Sequence, residues 1–185
     1  MLASEIFHDS LYFARLLTVE RDWIDQIVER LSDLQPGIPA DAYQVTGRIS
    51  RIAARIAERQ NEVFGRYGLN RGDVGVLSAL RTASTPQGLS PTQLFRGLML
   101  SSAGMTKRLD RLEQRGLVKR NPDPKDRRGV TIQLTESGRR MVTKAVAENT
   151  KNEVALLAGL NQRERRLLGD LLRKVLSRAE PPTGG

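Results

Sequence analysis

Between Ser101 and Arg128 the chain sets small hydroxyl residues beside cations, in a pattern that suits hydrogen bonding to a polyanion and not a bond-making reaction. Ser101, Ser102, Gly104, Thr106, Lys107, Arg108 and Arg111 lie off a stripe of Met105, Leu109 and Leu112 that recurs at helical spacing. One face of such a helix packs, and the other is small, polar and basic. That division suits an element entering a DNA major groove, about 12 Å wide, where bulky apolar groups would clash. Further on, Lys125, Asp126, Arg127 and Arg128 crowd a turn stiffened by Pro122 and Pro124. A stiff cationic loop beside a groove-reading helix can place an arginine in a minor groove, where narrow width deepens the negative potential. By itself this loop could equally be a solvated hairpin; the helix pair preceding it favours the nucleic-acid reading.

The elements that must hold these residues are legible nearby. Ser90-Pro91-Thr92-Gln93 is a capping box with proline at the first helical position, so a helix should start there and run through Leu94, Phe95 and Leu98, with Gly97 placed to turn the chain. The groove-facing helix is expected over Ser101 to Arg115, and Gly116 supplies its left-handed stop. Leu117 to Arg120 and Val130 to Leu134 read as two strands, the second alternating cleanly. On either side the chain is helical: Ala40 to Tyr67 with Ile49, Ile52, Ala53, Ile56, Val63 and Phe64 as its stripe, then Asp73 to Leu80. Thr135 should cap a helix reaching Leu157, and Asn161 another that carries Leu167, Leu168, Leu171, Leu172, Val175 and Leu176.

The run Leu89 to Leu94, the run Gly104 to Glu113 with Gly116-Leu117-Val118, and Asp126-Arg127-Arg128-Gly129-Val130 continuing to Leu134-Thr135 together resemble the MarR family of bacterial transcription regulators. The resemblance is specific in this block and extends more loosely from about Ala42 to Leu176. It implies a fold that is mostly α with a small β-hairpin wing: a winged helix-turn-helix domain plus a helical dimerisation region. It also implies a homodimer on a pseudo-palindromic double-stranded operator, usually as a repressor released by a small-molecule effector. Family wings carry an Asp-x-Arg element, so the resemblance makes Arg128 the minor-groove finger and Asp126 its orienting partner. Thr92 and Ser90, at the start of the preceding helix, join the candidate DNA contacts.

Composition agrees. A formal charge of +9 and an isoelectric point near 10.6 favour nucleic acid over membrane as partner. The charge is also concentrated: Lys107, Arg108, Arg111, Arg115, Lys119, Arg120, Lys125, Arg127 and Arg128 fall in one short segment. With no cysteine, disulfides and a thiol switch are excluded, and with them the redox-sensing branch of the family. His8 is the sole histidine, so no metal site or cofactor is expected. No apolar run approaches the ~18–20 residues of a membrane span, and Glu5 and Asp9 stand where a secretory signal would be basic. A cytoplasmic protein is expected. No Gly-rich phosphate loop, nucleophile elbow or paired-histidine motif argues for an enzyme. The competing class is a sequence-tolerant DNA-packaging protein, which would use the same charges without operator preference.

At 185 residues, one extended core is the default. The expected organisation is a helical extension over 1–37, a dimerisation region over 38–68 and 135–180, the winged domain over 69–134, and a disordered tail over 181–185. Ile49 and Ile52 with Leu167, Leu168, Leu171, Leu172 and Val175 form the expected dimer seam, because a two-fold protein sets two groove-reading helices one DNA turn apart. Trp23, Ile24, Ile27, Val28, Leu31 and Leu34 predict an extra helix ended by Pro36-Gly37. Such a helix resembles the urate-responsive branch, where a Trp here, an Asp after the first long helix and an Arg in the recognition helix are associated with ligand response. Those positions align with Leu31, Gly75 and Arg108, so the Trp and the Asp are missing. Trp23 lies about 800° around the helix from Leu31 and is assigned to core or interface. Residues 1–17 fit either a short helix or a mobile arm.

Overall fold

The computed structural model describes residues 20–83, 87–98, 102–124, 126 and 129–180, with Ser102 and Ala103 described in backbone only. The expectations for residues 1–17 and for the tail fall outside these. The described chain is mostly helical with one antiparallel hairpin, and it divides into two compact units, 1–55 and 56–185.

In the first unit the extra helix is present as α1 (Trp23–Leu34). Asp22 caps it by accepting from the amides of Ile24 and Asp25, while the Asp25 carboxylate accepts from the Asp22 amide, so orphan donors at both ends of the turn are satisfied. Ile24 and Val28 are buried, and Ile24 sits against Gly47 of α2 (Ala40–Gly65). Arg48 of α2 reaches back to Asp22 at 2.9 Å and Asp25 at 2.7 Å. Trp23 is not core: it is half exposed, with the Arg51 guanidinium 5.1 Å from its ring centroid, a cation–π contact. It lies one residue from buried Ile24, about 100° around α1 from the buried face.

The second unit holds the rest of α2, then α3 (Arg71–Thr82), α4 (Pro91–Leu98), α5 (Ser102–Gln114), β1 (Val118–Pro122), β2 (Val130–Leu134), α6 (Glu136–Leu156) and α7 (Gln162–Ala179). Its core joins Val63 and Phe64 of α2, Val76 and Leu77 of α3, Leu94 of α4, Met105, Leu109 and Leu112 of α5, Leu117, Ile132 of β2 and Val142 of α6. The α4 capping box forms as expected, the Ser90 hydroxyl accepting from the Gln93 amide (3.2 Å) and the Gln93 side chain from the Ser90 amide (2.8 Å). Gly97 lies within the last turn of α4 and does not itself turn the chain there, and residues 99–101 lie outside the described set.

Strand β1 begins and ends later than the alternation suggested. The Leu117 amide still donates to Leu112 as part of the exit from α5, and the strand runs on through Asn121 to Pro122, paired with Val130. Proline is tolerated there because the Asp123 amide donates to Gly129 at 3.0 Å, so by alternation the Pro122 nitrogen points away from β2. A short bridge that periodicity did not signal pairs Leu89 with Ile132 on the other edge of β2. Gly88, at φ +86, makes it feasible: a Cβ there would lie 2.0 Å from the Ile132 carbonyl oxygen.

The junction of wing and α6 is equally tight. Thr135 caps α6 by accepting from the Gly138 amide, and its hydroxyl donates to the Gly116 carbonyl at 2.7 Å. A Cβ on Gly138 would sit 2.0 Å from the Leu117 carbonyl oxygen. Gly138→Ala should therefore destabilise by about 1–3 kcal/mol in urea denaturation, whereas Ser137→Ala, on the exposed side, should stay within about 0.5 kcal/mol.

The first unit carries its own pH signature. Hydrogen bonds from Arg48 and from the Asp22 amide hold the Asp25 carboxyl below the ordinary carboxylate range. Because the folded value is depressed, its contribution is present above the unfolded pKa and lost as pH falls through the folded one. Trp23 is the sole tryptophan, so its fluorescence should report an acid transition below about pH 4 that moves to higher pH in Arg48→Gln.

Candidate nucleic-acid interface

Helix α5 divides as its sequence requires. Met105, Leu109 and Leu112 are at most 2% exposed, while Thr106 and Lys107 face solvent and Gly104 is half-buried. In front of it, Thr92 of α4 is exposed and Ser90 serves as the cap. Asp126 is exposed in the hairpin turn, its carbonyl accepting from the Gly129 amide at 2.9 Å. Ser101, Lys125, Arg127 and Arg128 lie outside the described residues, as does the Ser102 side chain.

The cations of the patch do not all face outward. Arg108 Nε donates to Asp73 Oδ1 at 3.2 Å, and Arg111 Nη2 donates to the same oxygen. Asp73 is 1% exposed, and its other oxygen accepts from the Asn70 amide at 3.0 Å. A buried carboxylate is tolerated when it is paired and hydrogen-bonded, and this one is saturated on both oxygens. The Arg108 guanidinium lies against the first turn of α3: a Cβ on Gly72 would fall 2.3 Å from its Nη2.

Arg115, although exposed, is also held by the protein. It donates to the carbonyls of Gly68 (2.6 Å) and Tyr67 (3.0 Å) and so ties the end of α5 to the turn after α2. Arg120 on β1 pairs with Asp110 and Glu113 of α5. Lys107 and Lys119 are exposed cations of the patch, and Arg111 and Arg115 are exposed as well while held by protein acceptors. The basic segment thus has two populations: arginines that are held by protein acceptors and brace α5, and outer-face residues such as Thr106 and Lys107 that can meet a polyanion.

Asp73 is the residue sequence reasoning underrated. It appeared only as the start of a helix, yet the helix begins at Arg71 because Asn70 and Asp73 form a capping box. Two signals were available: the Asn-x-x-Asp spacing, and a carboxylate at a position sharing a face with buried Leu77 and Leu80, where a charge must find a partner. It also revises the alignment that put the acidic position at Gly75, since the carboxylate that meets Arg108 comes from two residues earlier.

A small α3, α4 and α5 cluster followed by a wing is the architecture of a winged helix-turn-helix, and comparison with known proteins agrees. The MarR family model matches residues 76–130. The HTH-type transcriptional regulator PecS of Dickeya dadantii is 34% identical over 152 residues, covering 82% of this chain and 92% of PecS. Among solved structures, Escherichia coli MarR in its apo form is similar at a TM-score of 0.61 and 29% identity, covering 70% of this chain and 96% of that one. CouR of Rhodococcus jostii RHA1, solved with p-coumaroyl-CoA, gives 0.62 and 25%, covering 71% and 90%. The chain belongs to the MarR family and is a DNA-binding transcription regulator. Among the described residues, no helix is long and apolar enough to cross a membrane.

The two populations of cations should separate by mutation. Asp73→Ala removes a capping acceptor of α3 and the shared partner of Arg108 and Arg111, and should cost about 1–3 kcal/mol in urea denaturation, whereas Lys107→Ala should shift stability by no more than about 0.5 kcal/mol. DNA titrations alongside should show Lys107→Ala weakened at full stability.

Proposed function

We propose that the protein is a ligand-responsive repressor that binds a pseudo-palindromic operator as a homodimer, with α5 in the major groove and the wing over the flanking minor groove. The observation that carries this reading is the division of α5, apolar residues fully buried on one side and Thr106 and Lys107 exposed on the other. Ser90, Thr92, Ser101, Ser102, Gly104, Thr106 and Lys107 supply the major-groove contacts, and Lys125, Asp126, Arg127 and Arg128 the wing. Arg108 and Arg111 enter as braces of α5 through Asp73.

The homodimer is supported by an unfinished surface. Leu167, Leu168, Leu171, Leu172, Val175 and Leu176 of α7 are all between 38% and 53% exposed, a continuous stripe too long to leave in water. Ile52 is 48% exposed and Ile49 half-buried on α2. The α7 stripe therefore packs against a second copy, and Ile49 and Ile52 are separate candidates for contact with it. Regulation by a small effector is supported by the CouR complex. A cleft of about 540 Å³ between α2 and α6, walled by Arg66, Tyr67, Lys144, Glu148 and Lys151, offers an anionic effector a place.

Footprinting should show protection of one inverted repeat of roughly 16–20 base pairs. Even coating of the duplex would favour DNA packaging, and a monomer in sedimentation at micromolar concentration would remove the dimer. Affinity should fall steeply between about 50 and 200 mM salt, with a slope near −0.9 per phosphate neutralised. Arg128→Ala should weaken all operator variants alike and lessen preference for an A·T-rich flank, because the minor groove separates A·T from G·C pairs and little else. Wild-type affinity on every flank, in a variant that melts normally, would remove the wing from the mechanism.

A further inference from the structure

Arg120 stands apart from the other paired arginines because it joins two elements that would both touch DNA. It lies on β1, past the buried Leu117 and Val118 that anchor the start of the strand, and it pairs in register with fully buried Ile132. Its guanidinium forks: Nη2 donates to Asp110 Oδ1 at 2.6 Å, and Nη1 donates to Glu113 Oε2. Glu113 holds it twice, since its other oxygen accepts from the Arg120 backbone amide at 3.0 Å. Backbone and side chain of one strand residue are thus fixed to adjacent turns of α5.

We infer that Arg120 is a positioning residue for DNA recognition, setting the angle between the wing and α5 through the Asp110–Glu113 fork so that one rigid body spans two grooves. The inference rests on the proposed operator reading. Geometry decides the residue type. A planar guanidinium presents donors in a fixed fork, so contacts to two carboxylates one turn apart define a direction as well as a distance. An ammonium would satisfy either carboxylate without fixing the strand. Buried Leu117 and Val118 hold the base of the hairpin, but apolar packing is non-directional and leaves rotation about that base to be set by the fork. The same pairing occupies two carboxylates that α5 would otherwise bring, unpaired, toward a polyanion.

A charge-only role and a positioning role differ in a measurable way. Because the chain has no cysteine, Gln114→Cys and Val130→Cys can carry a pair of spin labels at exposed positions, diluted with unlabelled protein. The distance distribution should be narrow in the parent, broad in Arg120→Gln, and intermediate in Arg120→Lys, which keeps the charge and guards against a variant that fails to fold. Combining Arg120→Gln with Asp110→Asn and Glu113→Gln removes the exposed carboxylates without restoring the fork, and it should stay broad. DNA affinity should fall about tenfold in Arg120→Gln, with loss of flank preference that the combined variant does not recover. A distance distribution unchanged in Arg120→Gln, or full recovery of flank preference in the combined variant, would overturn the inference. The label measurement needs no DNA, so a failed operator reading would leave its result standing.

Discussion

The Asp73 carboxylate is the interaction on which the DNA-facing half of the molecule depends. It is 1% exposed and receives the Asn70 amide on one oxygen and both Arg108 and Arg111 on the other. One buried charge therefore starts α3, closes its first turn and fixes the rotation of α5 about its own axis. Rotation matters because a helix that presents Thr106 and Lys107 must keep Met105, Leu109 and Leu112 in the core, and the arginines three residues apart clamp it on the side between. Removing the partner of a buried charge is costly, so the arrangement is all or nothing.

Around that centre, arginine serves as mortar. Arg115 binds the carbonyls of Tyr67 and Gly68, and Arg120 ties the wing to Asp110 and Glu113, so the carboxyl-terminal half of α5 is held by two different neighbours. The Tyr67 hydroxyl in turn donates to Glu148 of α6 at 2.7 Å, a bond that, with burial, raises its pKa. A chain of hydrogen bonds thus runs from the proposed effector cleft, through the turn after α2, to the carboxyl end of α5. A ligand that competed for Glu148 or Arg66 would act on a carbonyl already bonded to α5. High positive charge in such a protein measures bracing as much as DNA affinity, and net charge overstates the number of phosphate contacts.

Alone, the described chain leaves its longest apolar stripe in water. Helix α7 buries none of its residues, although its capping box with Asn161 and Glu164 is complete and its leucines recur at helical spacing. Local signals specify the helix, and the burial that would reward it is missing within the chain. In the proposed dimer that burial comes from a second copy, which links fold stability to the spacing of the two DNA-reading helices.

By itself the sequence determined what depends on neighbours in the chain. Caps at Ser90, Thr135 and Asn161, the stripe of α5, the left-handed stop at Gly116 (φ +67) and the strand β2 are all local, and all formed, although burial along β2 does not follow its apolar alternation, Val130 being exposed and Thr131 buried beside Ile132. Composition and periodicity also sufficed for a helical protein with a wing and a polyanionic partner. What only the tertiary structure decided was which cations are spent inside. Arg108 meets an acid 35 residues away and Arg115 a carbonyl 47 away, and helical period places a side chain on a face without naming what faces it. The same blindness left Trp23 undecided between core and interface and the Leu89–Ile132 bridge unseen, since both depend on which elements the fold brings together.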